Sequence, residues 1–247
     1  RRRVSRFQNP RGGVIIAFLG ADGSGKSTVT QAITSWLSWR IEVVPLYLGF
    51  GDGPISVARK PLQALKSIYA RRRGSPNLPA SAEASPREAR TPSVRDVPKA
   101  VWRILWSWSV VREKRARIRQ AQRGRNLGLT VICDRYPQAQ IMALGDGPLL
   151  SHWEGHPWGW LRAAARWELE AYRRLETVAP DLVIKLHVTP EVSARRKRDV
   201  SLDSLARRVE VVRQVQFGQD TRVAQVDATQ SLEQVLLDTK RIVWEAL

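Results

Sequence analysis

Gly20-Ala21-Asp22-Gly23-Ser24-Gly25-Lys26-Ser27 follows the spacing G-x-x-x-x-G-K-[ST]. That spacing has one well-defined chemical use. Glycines let the backbone curl until successive N–H groups point at phosphate oxygens, the lysine reaches the β- and γ-phosphates, and the serine hydroxyl offers a hard oxygen to Mg²⁺. Residues Gly20 to Ser27 with Thr28 are therefore the expected binding site for ATP, Lys26 the expected catalytic cation and Ser27 an expected metal ligand. The flanks agree with this. Val14-Ile15-Ile16-Ala17-Phe18-Leu19 is a continuous apolar run of the kind found in a central strand, and a helical pattern from about Lys26 to Trp39 follows, so the loop would lie at a helix N-terminus with its positive potential.

A second cluster occurs far along the chain. The apolar run Val131-Ile132-Cys133 delivers Asp134 and Arg135 to its C-terminal end, the end outside which open α/β sheets bind ligands. An acid there can hold Mg²⁺ through water, and an arginine can clamp a phosphate with its planar fork. The alternative is a strand-end ion pair. His152 and His156 are four apart, but Gly155 and Pro157 disfavour a helical metal pair, so zinc is not expected. Cys133, the single cysteine, excludes a disulfide framework; inside a strand it is expected to be inert, and a reducing cytoplasm is the expected setting.

The elements that must position these residues read as an alternation. Glu42 to Gly49, Leu129 to Asp134, Asp181 to Val188 and Arg222 to Ala228 have strand character like Val14 to Leu19. Helical patterns cover roughly Val101 to Arg123 and Leu161 to Val178, Thr189-Pro190-Glu191 opens another helix, and Ser231-Leu232-Glu233-Gln234 has capping-box spacing for a last one ending near Trp244. Alternating strands and helices predict a parallel sheet covered on both faces, a three-layer α/β fold of the P-loop NTPase kind. A length of 247 residues and an apolar content of 43% suit one large domain and exclude a disordered chain. No apolar run is long enough to span a bilayer. The sequence begins at Arg1 without a methionine, so it is read as a processed product or a piece of a longer protein.

Charge is unevenly placed. The net +18 is carried by a basic tail, 1–13, with five arginines and no acid, and by residues 59–125, with 18 Lys/Arg against 4 Asp/Glu. Such blocks attract anions through a general field. A solvated basic face is the plainer reading, so nucleic acid is not an expected partner. Trp102, Trp106 and Trp108 in a basic helical segment leave peripheral contact with a membrane open, although core packing is the commoner use of such a stripe. A homodimer is also left open. Residues 51–98, rich in Pro, Gly, Ser and Arg, read as a flexible basic insertion. No linker divides the rest, which reads as one domain, 14–247.

Taken in order, these pieces resemble the thymidylate kinase family of nucleoside monophosphate kinases. Phe18 to Thr28 is similar to that family's P-loop and Asp134-Arg135-Tyr136 to its D-R-[YWH] motif. Pro180 to Leu186 with Thr189-Pro190-Glu191-Val192 is similar to its fourth strand and the turn into its lid helix, and Val226 to Glu233 to its last strand and final helix start. The resemblance implies a five-stranded parallel sheet, ATP and Mg²⁺ as cofactors, and transfer of a phosphoryl group to a nucleoside monophosphate, dTMP in the family. It implies Arg135 bridging donor and acceptor, lid arginines at Arg195, Arg196 or Arg198 with Arg207-Arg208 a short distance on, and Asp22 and Tyr136 facing a nucleotide acceptor. Two positions depart from the family. Leu19 stands where it has a glutamate, and Tyr47 to Gly53 contains no arginine to grip an acceptor phosphate, which leaves Arg59, Arg112 and Arg115 as the nearest replacements by sequence. Two further readings stay open: a kinase for a nucleoside or sugar hydroxyl, with Asp52 as base, and a non-catalytic ATP-binding module of a larger assembly.

Overall fold

Strand β1, Val14–Gly20, is buried along its whole length, so both of its faces are covered. The computed structural model describes residues 12–49, 97–140, 147–196 and 201–247. Four more strands complete the sheet: β2 (Val43–Tyr47), β3 (Thr130–Asp134), β4 (Leu182–His187) and β5 (Arg222–Asp227). The order is β2-β3-β1-β4-β5 and every pairing is parallel. This is the α/β fold expected from the alternation. The chain leaves β1 toward one edge and β4 toward the other, so the strand order reverses around the centre of the sheet, where crevices open outside the strand C-termini. The register brings those ends together: Phe18 pairs with Asp134, and Gly20 with Leu186.

The described residues fall into two compact units. One is drawn from Arg1–Leu48, Arg117–Tyr136 and Val178–Leu247, the other from Gly49–Ala116 and Pro137–Thr177. The second unit is assembled from two separated stretches, so no contiguous linker marks it in the sequence. The basic tail and nearly all of the insertion 51–98 lie outside the described residues.

The first unit holds the sheet. Helix α1 (Lys26–Leu37) presents Val29, Ile33 and Leu37 at four-residue spacing to Val14, Ile16 and Phe18 of β1, and Val235 and Val243 of the last helix join the same core. Ile33 is wholly buried, so its replacement by alanine would cost about 2–5 kcal/mol. Asp181 fixes the start of β4, its Oδ2 accepting from the Ile15 N–H at 2.7 Å. Lys185 of β4, nearly buried, donates to the carbonyls of Arg213 at 3.0 Å and of Val215. Those carbonyls end a helix that carries Arg208, so the lysine works as a C-terminal cap from the sheet.

The second unit contains Val97 to Ala116 of helix α2 (Val97–Asn126), a short 3-10 turn at Ser151–Trp153 and helix α3 (Gly159–Glu176). Ala100, Leu150, Trp153, Leu161 and Ala165 pack together, as do Val111, Ala139, Ala171 and Tyr172. Glu168 is buried among them yet satisfied. It accepts from Ser107 Oγ at 2.5 Å and from the Leu150 N–H at 2.6 Å. Burial raises its pKa, against the opposing pull of these bonds and of Lys114. Among the described residues no helix is long and apolar enough to cross a membrane.

Candidate functional site

The loop between β1 and α1 is built from two left-handed turns. Gly23 and Gly25 both have φ 80°, which only glycine adopts without strain, and Gly25 is the residue before the helix. Gly23 is also pressed from outside, because a Cβ there would come within 2.9 Å of the Ser193 carbonyl oxygen and hydroxyl. Lys26 is almost fully buried and its ammonium folds back over the loop to donate to the Ala21 carbonyl at 2.8 Å. The first turn of α1 carries N–H groups with no intrahelical partner, which is the physical basis of anion binding at such a terminus. Ser27 and Thr28 stand exposed on that turn.

Across the sheet, β3 delivers Asp134 to the same place. Ser27 Oγ donates to Asp134 Oδ2 at 3.0 Å, and Asp134 Oδ1 is buried without a hydrogen-bond partner. A hydroxyl beside a carboxylate with one unsatisfied buried oxygen is a set of hard oxygen donors, and it fits Mg²⁺. Cys133 next to it is buried, its thiol pushed up to about 12 by burial and by the Asp134 charge.

The loop's own carboxylate, Asp22, is flanked by arginines from distant elements. Arg135 follows β3 with φ 71°, the one positive-φ residue other than glycine among those described, while its N–H donates to the Phe18 carbonyl at 3.0 Å. The left-handed turn costs roughly 1–2 kcal/mol for a non-glycine residue and leaves a guanidinium nitrogen 3.3 Å from Asp22 Oδ1. Helix α4 (Pro190–Arg196) begins as expected at Pro190, with the Val192 N–H 3.4 Å from Thr189 Oγ1. It is fastened to the loop: Ser193 Oγ donates to the Asp22 carbonyl, and Arg196 donates to the Gly23 carbonyl at 3.3 Å. Helix α5 (Leu202–Gln214) supplies Arg208, which pairs with Asp22 Oδ2. Arg195 is exposed on α4.

Of the candidates from sequence, Gly20 to Thr28, Asp134, Arg135 and Arg196 thus meet around one loop. Arg198, Asp52 and Arg59 lie outside the described residues. Tyr136 is buried, its hydroxyl donating to the Val178 carbonyl and its pKa raised by that burial. Arg112 and Arg115 belong to the second unit, where the Arg112 guanidinium lies 5.4 Å over the Trp108 ring. His152 Nε2 lies 3.2 Å from Arg103, and burial and that charge lower its pKa to about 4, so at neutral pH the ring nitrogen accepts from the guanidinium. Ser193 is the residue here that sequence reasoning did not single out. Arg208, named with Arg207 as following the lid arginines, is separated from Asp22 by 186 positions.

No family model matches the chain. The chain is similar to the uncharacterized ATP-binding protein YghS of Escherichia coli K12, with 26% identity over 234 residues that cover 94% of this chain and 93% of YghS. It is also similar to the uncharacterized ATP-binding protein YghR of the same strain, with 24% identity over 238 residues, 93% of this chain and 86% of YghR. Both likenesses run through nearly the whole chain.

Proposed function

We propose that this chain binds ATP with Mg²⁺ and transfers the γ-phosphoryl group to a small-molecule acceptor, a nucleoside monophosphate of the dTMP kind. The observation that carries the reading is the Ser27–Asp134 pair at 3.0 Å, placed between the phosphate loop and the end of β3 with a buried carboxylate oxygen still to be satisfied. The description of YghS and YghR as ATP-binding supports the choice of nucleotide. The order of motifs, thymidylate kinase-like from Phe18 to Glu233, supports the choice of acceptor.

The residues divide the task. The loop amides and the Lys26 ammonium, leaving the Ala21 carbonyl, hold the β- and γ-phosphates. Ser27 and Asp134 would hold Mg²⁺, which would supply charge neutralisation at those phosphates. An oxygen of the acceptor phosphate attacks the γ-phosphorus as the bond to ADP breaks, and a phosphate oxyanion needs no general base. Arg135, Arg195 and Arg196 would offset the charge spread over the transferred oxygens. The protein's contribution is alignment and charge, with no covalent intermediate. The test is transfer of label from γ-labelled ATP to dTMP in the presence of Mg²⁺, with Lys26→Ala as control. Labelled dTDP that disappears in the variant supports the reading. ATP binding with no transfer to any acceptor overturns it.

A further inference from the structure

We propose that Asp22 is an internal anion that holds Arg135 and Arg208 as a ready pair of phosphate-binding forks, and that a triphosphate entering the loop takes Arg208 over from its carboxylate. The inference rests on the reading of the loop as an ATP site and deepens it.

A negative side chain inside a loop built to receive phosphates is electrostatically costly for the ligand, so its presence calls for a reason. The structure supplies one in the company it keeps. Arg135 approaches Oδ1 at 3.3 Å and Arg208 approaches Oδ2. The two arginines come from 113 and 186 positions away, on the turn after β3 and on α5. The pairing is not an incidental surface contact. The side chains of Asp22, Arg135 and Arg208 are only 18%, 21% and 13% exposed, so water screens them poorly. Arg135 adopts a left-handed backbone turn in aiming its fork. The Asp22 backbone is pinned by Ser193 Oγ, and the end of the Arg208 helix is tied to β4 by Lys185.

Two guanidinium groups held near one another repel, and a shared carboxylate offsets that repulsion. Each guanidinium carries five N–H donors in a planar fork. The fork matches a phosphate as well as it matches a carboxylate, and a phosphate carries more charge. Exchange of Asp22 for a phosphate oxygen at Arg208 is thus favourable in Coulomb terms, and it leaves Asp22 balanced by Arg135. Asp22 is on this account the counter-ion of both arginines until the ligand enters, their backbones being anchored independently at Phe18 and by Lys185, and its charge opposes the ligand.

The sign of one substitution separates this role from a simple binding role. Titrations with ATP and with inorganic tripolyphosphate, with and without Mg²⁺, compare the wild type, Asp22→Asn, Arg208→Ala and the double variant, each checked for folding by circular dichroism. Asp22→Asn keeps the shape and removes the charge, so it is expected to bind tripolyphosphate about tenfold more tightly. Arg208→Ala is expected to bind it several-fold more weakly, and the double variant to lose most of the gain. Unchanged or weaker binding by Asp22→Asn overturns the inference while leaving the ATP site standing. If Asp22→Asn does not fold, unaltered affinity in Arg208→Ala overturns it. Failure of the wild type to bind either ligand overturns the ATP reading and this inference together.

Discussion

The hydroxyl of Ser27 donates to Asp134 Oδ2 at 3.0 Å although the two residues are 107 positions apart. Parallel pairing of β1 with β3 makes the contact, because Phe18 stands in register with Asp134, and the loop that follows β1 then folds back above that strand end. A single sheet register therefore joins the specific signal of the loop and the weaker signal at Asp134 into one group of oxygen donors.

Asp134→Asn gives the first prediction. Removing one charge-assisted contact of this kind weakens binding by about ten- to a hundredfold. The loss should appear only in the affinity for ATP with Mg²⁺. Without Mg²⁺ the variant should bind ATP as well as the wild type or better, because a negative charge has been taken from the phosphate site. Ser27→Ala should show the same Mg²⁺-dependent loss, and the two losses should not add, because both variants disrupt one donor set. Calorimetric titration with and without Mg²⁺ measures all three.

A methyl group at Gly23 should be damaging for two independent reasons. The residue has φ 80°, and the added Cβ would lie 2.9 Å from the Ser193 carbonyl oxygen, which belongs to backbone and cannot swing away. Strain of this type costs about 1–3 kcal/mol. Gly23→Ala should lower the midpoint of chemical denaturation accordingly and reduce ATP affinity, since relief requires α4 to leave the loop. A denaturation curve matching that of the wild type would show that the contact with α4 does not persist in solution.

Glu168 in the second unit links pH to stability. Its carboxyl pKa is raised by burial above the unfolded value of about 4.3. Between the unfolded and the raised folded pKa the native state binds the extra proton, so this residue's contribution to stability falls as pH rises through that window and levels off above it. Glu168→Gln keeps an oxygen for the Leu150 N–H but cannot ionise. The difference in unfolding free energy between wild type and variant should therefore change with pH above about 4, in the direction of the variant gaining. A difference that stays flat with pH would mean that the carboxyl is not displaced.

Much of this was legible in the sequence, and the parts that were not have a common cause. The phosphate loop and its flanks were readable because strand, turn and helix are contiguous there and each leaves a local pattern. All five strands were visible for the same reason. The boundaries shifted by a few residues: α2 begins at Val97 rather than near Val101, because Pro98 is tolerated in a first helical turn. The capping box after β5 is half formed. Ser231 Oγ accepts from the Gln234 N–H at 3.3 Å, while the Gln234 side chain turns to Asp238. Contacts between distant positions left no such pattern. Nothing local to Arg208 pointed to Asp22 as its partner, and nothing in Trp167-Glu168-Leu169-Glu170 pointed to Ser107 as the partner of Glu168.

The measurement that bears most directly on the account supplies ATP and Mg²⁺ with a panel of acceptors: dTMP, dUMP, other nucleoside monophosphates, free nucleosides and sugars with and without phosphate. No arginine stands between Tyr47 and Gly53, where the resembling family grips the acceptor phosphate. The missing fork should weaken monophosphate binding by about ten- to a hundredfold. The account therefore predicts measurable but inefficient transfer to dTMP, with a better acceptor still to be identified. Transfer only to hydroxyl acceptors, or ATP binding with transfer to nothing in the panel, would contradict it.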